Sequence, residues 1–177
     1  MARSGVKGSL SGACAQIITD RLMKSCVFIG THSAVLDEKS RLVMPAGFRK
    51  DNSDATLASD FYITPHQDGF LIARPAEVWQ AYLQAVQSAE DLDVARKRKF
   101  IRLLCNNSVK TRLDSQFRIV LSQSQRRKLS FGNEDARQKL VVVGCGEFIE
   151  VWPEAKYRGE DDSTRELSGF INEFDGR

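Results

Sequence analysis

The chain has 177 residues, 42% of them hydrophobic and 28% charged, with a formal net charge of +3 and a pI near 8.7. That is enough apolar sequence to bury a core, which excludes a disordered chain, and the length alone allows one domain or two half-size ones. The balance is only mildly basic, so any nucleic-acid contact has to come from local clustering of charge and not from its total.

From the N-terminus, Ser9 to Ile18 is mildly apolar but short, and Asp20, Arg21 and Lys24 follow it. Support for a signal peptide is weak. Charges interrupt every later apolar run well short of the roughly 18 residues of a membrane span, so no transmembrane helix is expected. Cys14, Cys26, Cys105 and Cys145 stand singly, with only His32 and His66 as nitrogen partners. That is not a zinc spacing, so no metal and no cofactor are expected. Lone cysteines in a chain of this size read as small buried hydrophobes in a reducing cytoplasm.

Ser33 to Leu36 and Arg41 to Met44 are strand candidates joined by a four-residue polar turn, Asp-Glu-Lys-Ser. Pro45 suits the first position of a short helix around Ala46 to Lys50, after which a loose polar loop runs to about Ser59. Phe61 to Thr64 and Phe70 to Arg74 flank Pro-His-Gln-Asp-Gly, the signal of a second hairpin. Trp79, Tyr82, Leu83 and Val86 then fall at the spacing of one helix face. A further helix after Asp93 carries Val94, Ile101, Leu104 and Cys105 on one side. These stripes read as core or interface. In the last third, Leu140 to Val143 and Glu147 to Trp152 flank Gly-Cys-Gly as another hairpin. The tail from Arg158 to Arg177 has six acidic and three basic residues, with Leu167, Phe170, Ile171 and Phe174 spaced as an amphipathic helix.

The chain repeats itself. At an offset of 77, Leu36, Asp37, Arg41, Leu42, Val43 and Met44 match Leu113, Asp114, Arg118, Ile119, Val120 and Leu121. Further on, at 78, Phe70, Leu71, Pro75 and Trp79 match Phe148, Ile149, Pro153 and Tyr157. A period this long, present twice, predicts a duplicated half-domain and not a solenoid. The expected divisions are an N-terminal extension (1–26), a first half (27–89), a connecting basic helix (90–105), a second half (106–157) and an acidic tail (158–177).

With the two Asp-x-x-x-Arg motifs, the segment Val-Val-Val-Gly-Cys-Gly-Glu-Phe-Ile-Glu-Val-Trp at 141–152 and the Pro-Ala-Glu-Val-Trp after the first hairpin, the chain resembles the MraZ family. These are bacterial transcriptional regulators related to the AbrB-type swapped-hairpin DNA-binding fold. The resemblance covers about Val27 to Tyr157. It implies an α+β fold in which duplicated hairpin-and-helix half-motifs interleave into one small β-barrel with peripheral helices. It also implies a ring-shaped homo-oligomer and binding to double-stranded DNA at short direct repeats in the promoter of the cell-division and cell-wall gene cluster, as a repressor. Such a protein would be nucleoid-associated. It would take no small-molecule substrate and touch no membrane.

Three positions depart from the family pattern. Both motifs usually read Asp-x-x-Gly-Arg, and here Ser40 and Phe117 stand at the glycine positions. If these need a positive φ, each carries about 1 kcal/mol or more of strain, most for Phe117. The third is Ser122, which replaces the proline that Pro45 represents in the first half. Ser122 with Gln125 fits a capping box, so the helix start survives. Family members begin close to Met23, so residues 1–22 read as an added arm or an upstream start.

An exposed Asp–Arg pair across a turn contributes about 0 to 1 kcal/mol, enough to order a turn but not to account for its recurrence. The functional reading takes Arg41 and Arg118 as forks for phosphate or guanine, oriented by Asp37 and Asp114, with Lys39 and Gln116 adding contacts from the same turns. Arg41, in the turn closer to the pattern, is expected to contribute more than Arg118. A second basic feature, Arg96, Lys97, Arg98, Lys99, Arg102, Lys110 and Arg112, is either a phosphate surface or a solvated helix face. Arg126, Arg127 and Lys128 form a further candidate cluster. No phosphate loop or nucleophile elbow is present, so an enzyme is not expected. The competing reading is a ring-forming, partner-binding relative that has lost specific DNA recognition.

Overall fold

Residues 27–131 and 137–157, with positions 167, 171 and 173, are described by a computed structural model. The expected N-terminal extension and, apart from those three positions, the amphipathic tail lie outside the described residues. The strands are β1 (Phe28–Leu36), β2 (Arg41–Val43), β3 (Asp60–Pro65), β4 (Leu71–Pro75), β5 (Val109–Arg112), β6 (Arg118–Val120), β7 (Gln138–Gly146) and β8 (Ile149–Pro153). The helices are α1 (Ala46–Asp51), α2 (Asp54–Ala58), α3 (Ala76–Ser88), α4 (Val94–Asn107), α5 (Gln123–Lys128) and α6 (Glu154–Tyr157).

Period-two alternation sets the inside and outside of the sheet. In β4, Leu71, Ala73 and Pro75 are buried between less buried Ile72 and Arg74, and in β8 Ile149, Val151 and Pro153 are buried between Glu150 and Trp152. The eight strands form one antiparallel sheet in the order β5-β3-β4-β8-β7-β1-β2-β6. Its end strands β5 and β6 lie against each other, so the sheet curls into a nearly closed barrel and leaves little open edge. Phe28, Phe48, Phe61, Leu42, Ile119 and Leu140 fill the interior, with Phe28 and Phe48 edge to face at 5.4 Å. The α+β barrel expected from the resemblance is therefore present.

Interleaving is visible in the pairing. β1 and β2 pair with each other only at Leu36↔Leu42. β1 instead runs along β7 of the second repeat from Phe28↔Gly146 to Leu36↔Gln138, and β5 runs along β3 of the first. Two places put equivalent strands side by side. Leu42 faces Ile119 where β2 meets β6, and Ile72 faces Glu150 where β4 meets β8, so a pseudo-twofold axis passes through both ladders.

Several elements differ from the sequence reading. β1 begins at Phe28, not Ser33, because the long partner strand β7 extends it. The expected loop to Ser59 contains helix α2, started by the Ser53 side chain accepting from the Thr56 N–H at 3.2 Å. Gly-Cys-Gly lies at the end of β7, and the reversal follows it. Gly146, at φ 76, opens that reversal, which is closed by the Cys145 N–H to the Phe148 carbonyl at 2.9 Å. The capping box at Ser122 and Gln125 is present as expected. Neither described cysteine is a buried hydrophobe. Cys105 is exposed on α4, and half-burial pushes the Cys145 thiol up to about 11.

Gly144 faces Gly30 across the β1–β7 ladder, and a Cβ there would lie 2.4 Å from the carbonyl carbon and oxygen of Phe28. Backbone cannot yield as a flexible side chain can. Gly144→Ala should therefore destabilise by about 3 kcal/mol or more in urea unfolding, at the upper end of overpacking costs. A midpoint unchanged from the parent would contradict this strand register.

Candidate nucleic-acid interface

Each Asp-x-x-x-Arg segment forms the same closed turn. In the first, Asp37 Oδ1 accepts the backbone N–H groups of Lys39 at 2.9 Å and Arg41 at 2.8 Å. Its Oδ2 accepts Arg41 Nε at 2.6 Å and lies 2.6 Å from Nη2. In the second, Asp114 Oδ1 accepts Gln116 N–H at 2.8 Å and Arg118 N–H at 3.0 Å, and Oδ2 takes Arg118 Nε and Nη2 at 2.7 Å each. The aspartate thus holds the backbone with one oxygen and aims the guanidinium with the other.

The glycine positions do need the left-handed conformation. Ser40 sits at φ 59 and Phe117 at φ 56, a strain of about 1–2 kcal/mol each for an L-residue. The turn keeps its type in both repeats, and the opposite repeat supplies what holds it. Arg126, on α5, is buried and donates from Nη1 to Ser40 Oγ at 2.8 Å. Arg49, the residue 77 positions earlier and on α1, lies with its guanidinium 5.0 Å over the Phe117 ring. The backbone repeats this crossing. The Leu121 N–H donates to the Ser40 carbonyl and the Met44 N–H to the Phe117 carbonyl, both at 2.8 Å. A hydrogen bond to a charged group contributes about 1.5–3 kcal/mol and a cation–π contact about 0.5–2 kcal/mol, the same order as the strain they offset.

These crossings bring all six sequence-predicted residues to one end of the barrel. Across the β2–β6 ladder, Arg41 faces Val120 and Val43 faces Arg118, while Leu42 and Ile119 between them point into the core. The outward surface of this two-stranded ribbon therefore carries two arginines and two exposed valines in a twofold checkerboard, flanked by exposed Lys39 and Gln116. At the opposite pseudo-dyad, by contrast, Phe70 stacks on Trp152 at 4.0 Å and Arg74 is sandwiched between Tyr82 and Phe148.

Sequence reasoning missed Arg49 and misread Arg126, which faces inward as a clamp and does not join Arg127 and Lys128 as a surface cluster. Their recurrence at the repeat offset was the available signal. The long basic run is also divided. Lys110 and Arg112, on β5, both engage Asp60, at 2.7 and 2.9 Å, and Lys97 donates to the Gln87 carbonyl at 2.9 Å. Arg98, Lys99 and Arg102 are exposed along α4.

Asp37 lies below its ordinary carboxylate value. Burial pushes it up, but the Arg41 side-chain and backbone hydrogen bonds, the Arg41 charge and the Lys39 N–H outweigh that. Asp114 is also lowered, first by the Arg118 side-chain hydrogen bond and then by the Arg118 N–H, against some desolvation. Among the described residues no group of His, Cys, Asp and Glu could hold a metal ion, and no helix is long and apolar enough to cross a membrane.

No protein-family model matches the chain. The chain is similar to proteins named as the transcriptional regulator MraZ. That of Rhodococcus jostii is 35% identical over 126 residues, which span 71% of this chain and 80% of that protein. That of Nocardia farcinica is 33% identical over the same length and shares. That of Corynebacterium diphtheriae is 31% identical over 138 residues, 78% of this chain and 89% of that protein.

Two predictions follow from the turn geometry. Phe117→Ala keeps the left-handed penalty and loses the ring, so it should unfold more easily than the parent. Phe117→Gly should exceed Phe117→Ala in stability by about 1 kcal/mol, and the reverse order in urea titrations would contradict a positive φ at this position. For pH, a carboxylate lowered on folding contributes stability above its unfolded value, near 3.9, and loses it as pH falls through the folded value. The stability gap between the parent and Asp37→Asn or Asp114→Asn should be constant above about pH 5 and shrink below about pH 4. A gap that persists in acid would mean that the carboxylate charge is not what closes the turn.

Proposed function

The chain belongs to the MraZ family of transcriptional regulators, and from that membership we propose that it reads duplex DNA with the outward face of the β2–β6 ribbon. As a member of this family it is a regulator and not an enzyme. One observation carries the choice of surface. The two Asp-x-x-x-Arg turns, 77 residues apart in sequence, converge on a single ladder with their arginines aimed outward.

A major groove admits a two-stranded ribbon, and an oriented guanidinium suits guanine O6 and N7 or a phosphate. Arg41 and Arg118 are the proposed principal contacts, with Asp37 and Asp114 positioning them and Lys39 and Gln116 contributing to phosphate and base or backbone. The matching geometry of the two turns supports near-equal contributions from the two arginines.

One chain offers one such composite surface. The finer reading follows from this together with the family resemblance: several copies in a ring engage short direct repeats in a promoter, each weak contact raising the effective concentration of the next. The regulated genes in that reading are those of cell division and the cell wall, the sign is repression, and the protein works in the cytoplasm on the nucleoid.

The test is a gel shift on the duplex upstream of its own gene, across a salt series. Binding should be salt-sensitive and fall by about tenfold or more in Arg41→Ala and in Arg118→Ala, a loss of about 1–3 kcal/mol per bidentate contact. Absence of binding at low salt, or full binding by both variants, would overturn the reading. Altered spacing between repeats with no loss of affinity would overturn the multi-copy part alone.

A further inference from the structure

Helix α4 has no buried residue among its 14, although Val94, Phe100 and Leu103 are apolar and exposed. Between this helix and the end of β3 lies a groove of about 300 Å³, lined by Pro65, Gln67, Phe100, Leu103, Leu104 and Lys128, among others. Exposed Lys99 and Arg102 sit on the same helix, and residues 94–113 contain no acidic side chain. The DNA-facing ribbon uses none of this surface.

The same chain carries the complementary surface. Residues 158–177 have six acidic and three basic side chains, and their apolar residues recur at i, i+3, i+4 and i+7. Of these, Leu167 and Ile171 lie in helical turns and are 56% and 48% exposed. The last described residues before this segment lie close to the groove, since Lys156 Nζ is 3.4 Å from the carbonyl of Asp68, next to Gln67. Even so, its described apolar residues stay open. Leu167 and Ile171, on an acidic segment of amphipathic spacing, and the basic apolar groove are both exposed on one chain and can cover each other between two chains.

We propose that the groove between α4 and β3 receives the C-terminal segment 158–177 of a second copy. The contact is head-to-tail, with Leu167 and Ile171 of one copy against Phe100 and Leu103 of the next and the acidic residues over Lys99, Arg102 and Lys128. A heterologous contact of this kind closes into a ring or propagates, depending on its rotation. The proposal deepens the self-association in the preceding reading and is independent of the DNA contact.

Sedimentation velocity on the full chain tests it, using Leu103→Asp in the groove and the double change Leu167→Asp with Ile171→Asp in the tail. All three residues are about half exposed, so the changes leave the core closed. Each variant alone should need about tenfold or more higher concentration to associate, because an unpaired carboxylate is buried at the contact. An equimolar mixture should then form a two-chain species and nothing larger, since one competent groove meets one competent tail. If the parent assembles and the variants assemble equally well, or if mixing restores nothing, the contact is wrong. A parent that stays a single chain at every concentration overturns the contact and the self-association together.

Discussion

The structure depends on two residues held in a conformation that neither prefers. Ser40 and Phe117 occupy left-handed backbone at φ 59 and φ 56, and neither turn relies on its own repeat alone to stay there. α5 reaches across with Arg126 to Ser40, and α1 reaches across with Arg49 to Phe117. Each arginine that faces outward is thus oriented by an aspartate in its own turn, and that turn is braced by an arginine from the other repeat. Two weak local motifs become one surface by this exchange.

The barrel makes the exchange unavoidable. β1 and β2 are joined by the tight turn yet share only one register pair, so β1 takes its main partner from the other repeat in β7. Leu42 and Ile119 bury side by side at the dyad, which leaves their neighbours Arg41, Val43, Arg118 and Val120 facing out. Packing of the interior therefore decides what the exterior presents. At the far dyad the same symmetry is filled by aromatic stacking, with Arg74 flattened between rings.

Much of this was legible in the sequence because duplication writes local information twice. The turn residues, the alternation in β4 and β8, and the Ser122 capping box all follow from chemistry within a few positions. The six expected site residues gather about one ladder, Arg41 and Arg118 within it and the other four in the adjoining turns, but sequence alone leaves the two turns as separate tips. Partner exchange is a long-range property, set by the combined length of β1 and β7 and not by any single residue. Arg126 shows the limit most clearly. Between Gln125 and Arg127 it reads as surface charge, and only the position of Ser40, 86 residues away, turns it inward. Helix α2 was missed for a smaller reason: the Ser53 cap precedes too short an apolar pattern to register. On α4 the expected stripe exists, yet its Val94 is exposed, because apolar spacing cannot say whether a face meets the core or another molecule.

The central claim is that both turns act as one DNA-facing surface, braced across the repeats. Amide hydrogen exchange on the full chain, with and without the duplex upstream of its own gene, tests it most directly. The account predicts protection that appears together in residues 38–43 and 115–120 and saturates at the same DNA concentration. Protection confined to one turn, or found on α4 while both turns exchange as in the free protein, would contradict it.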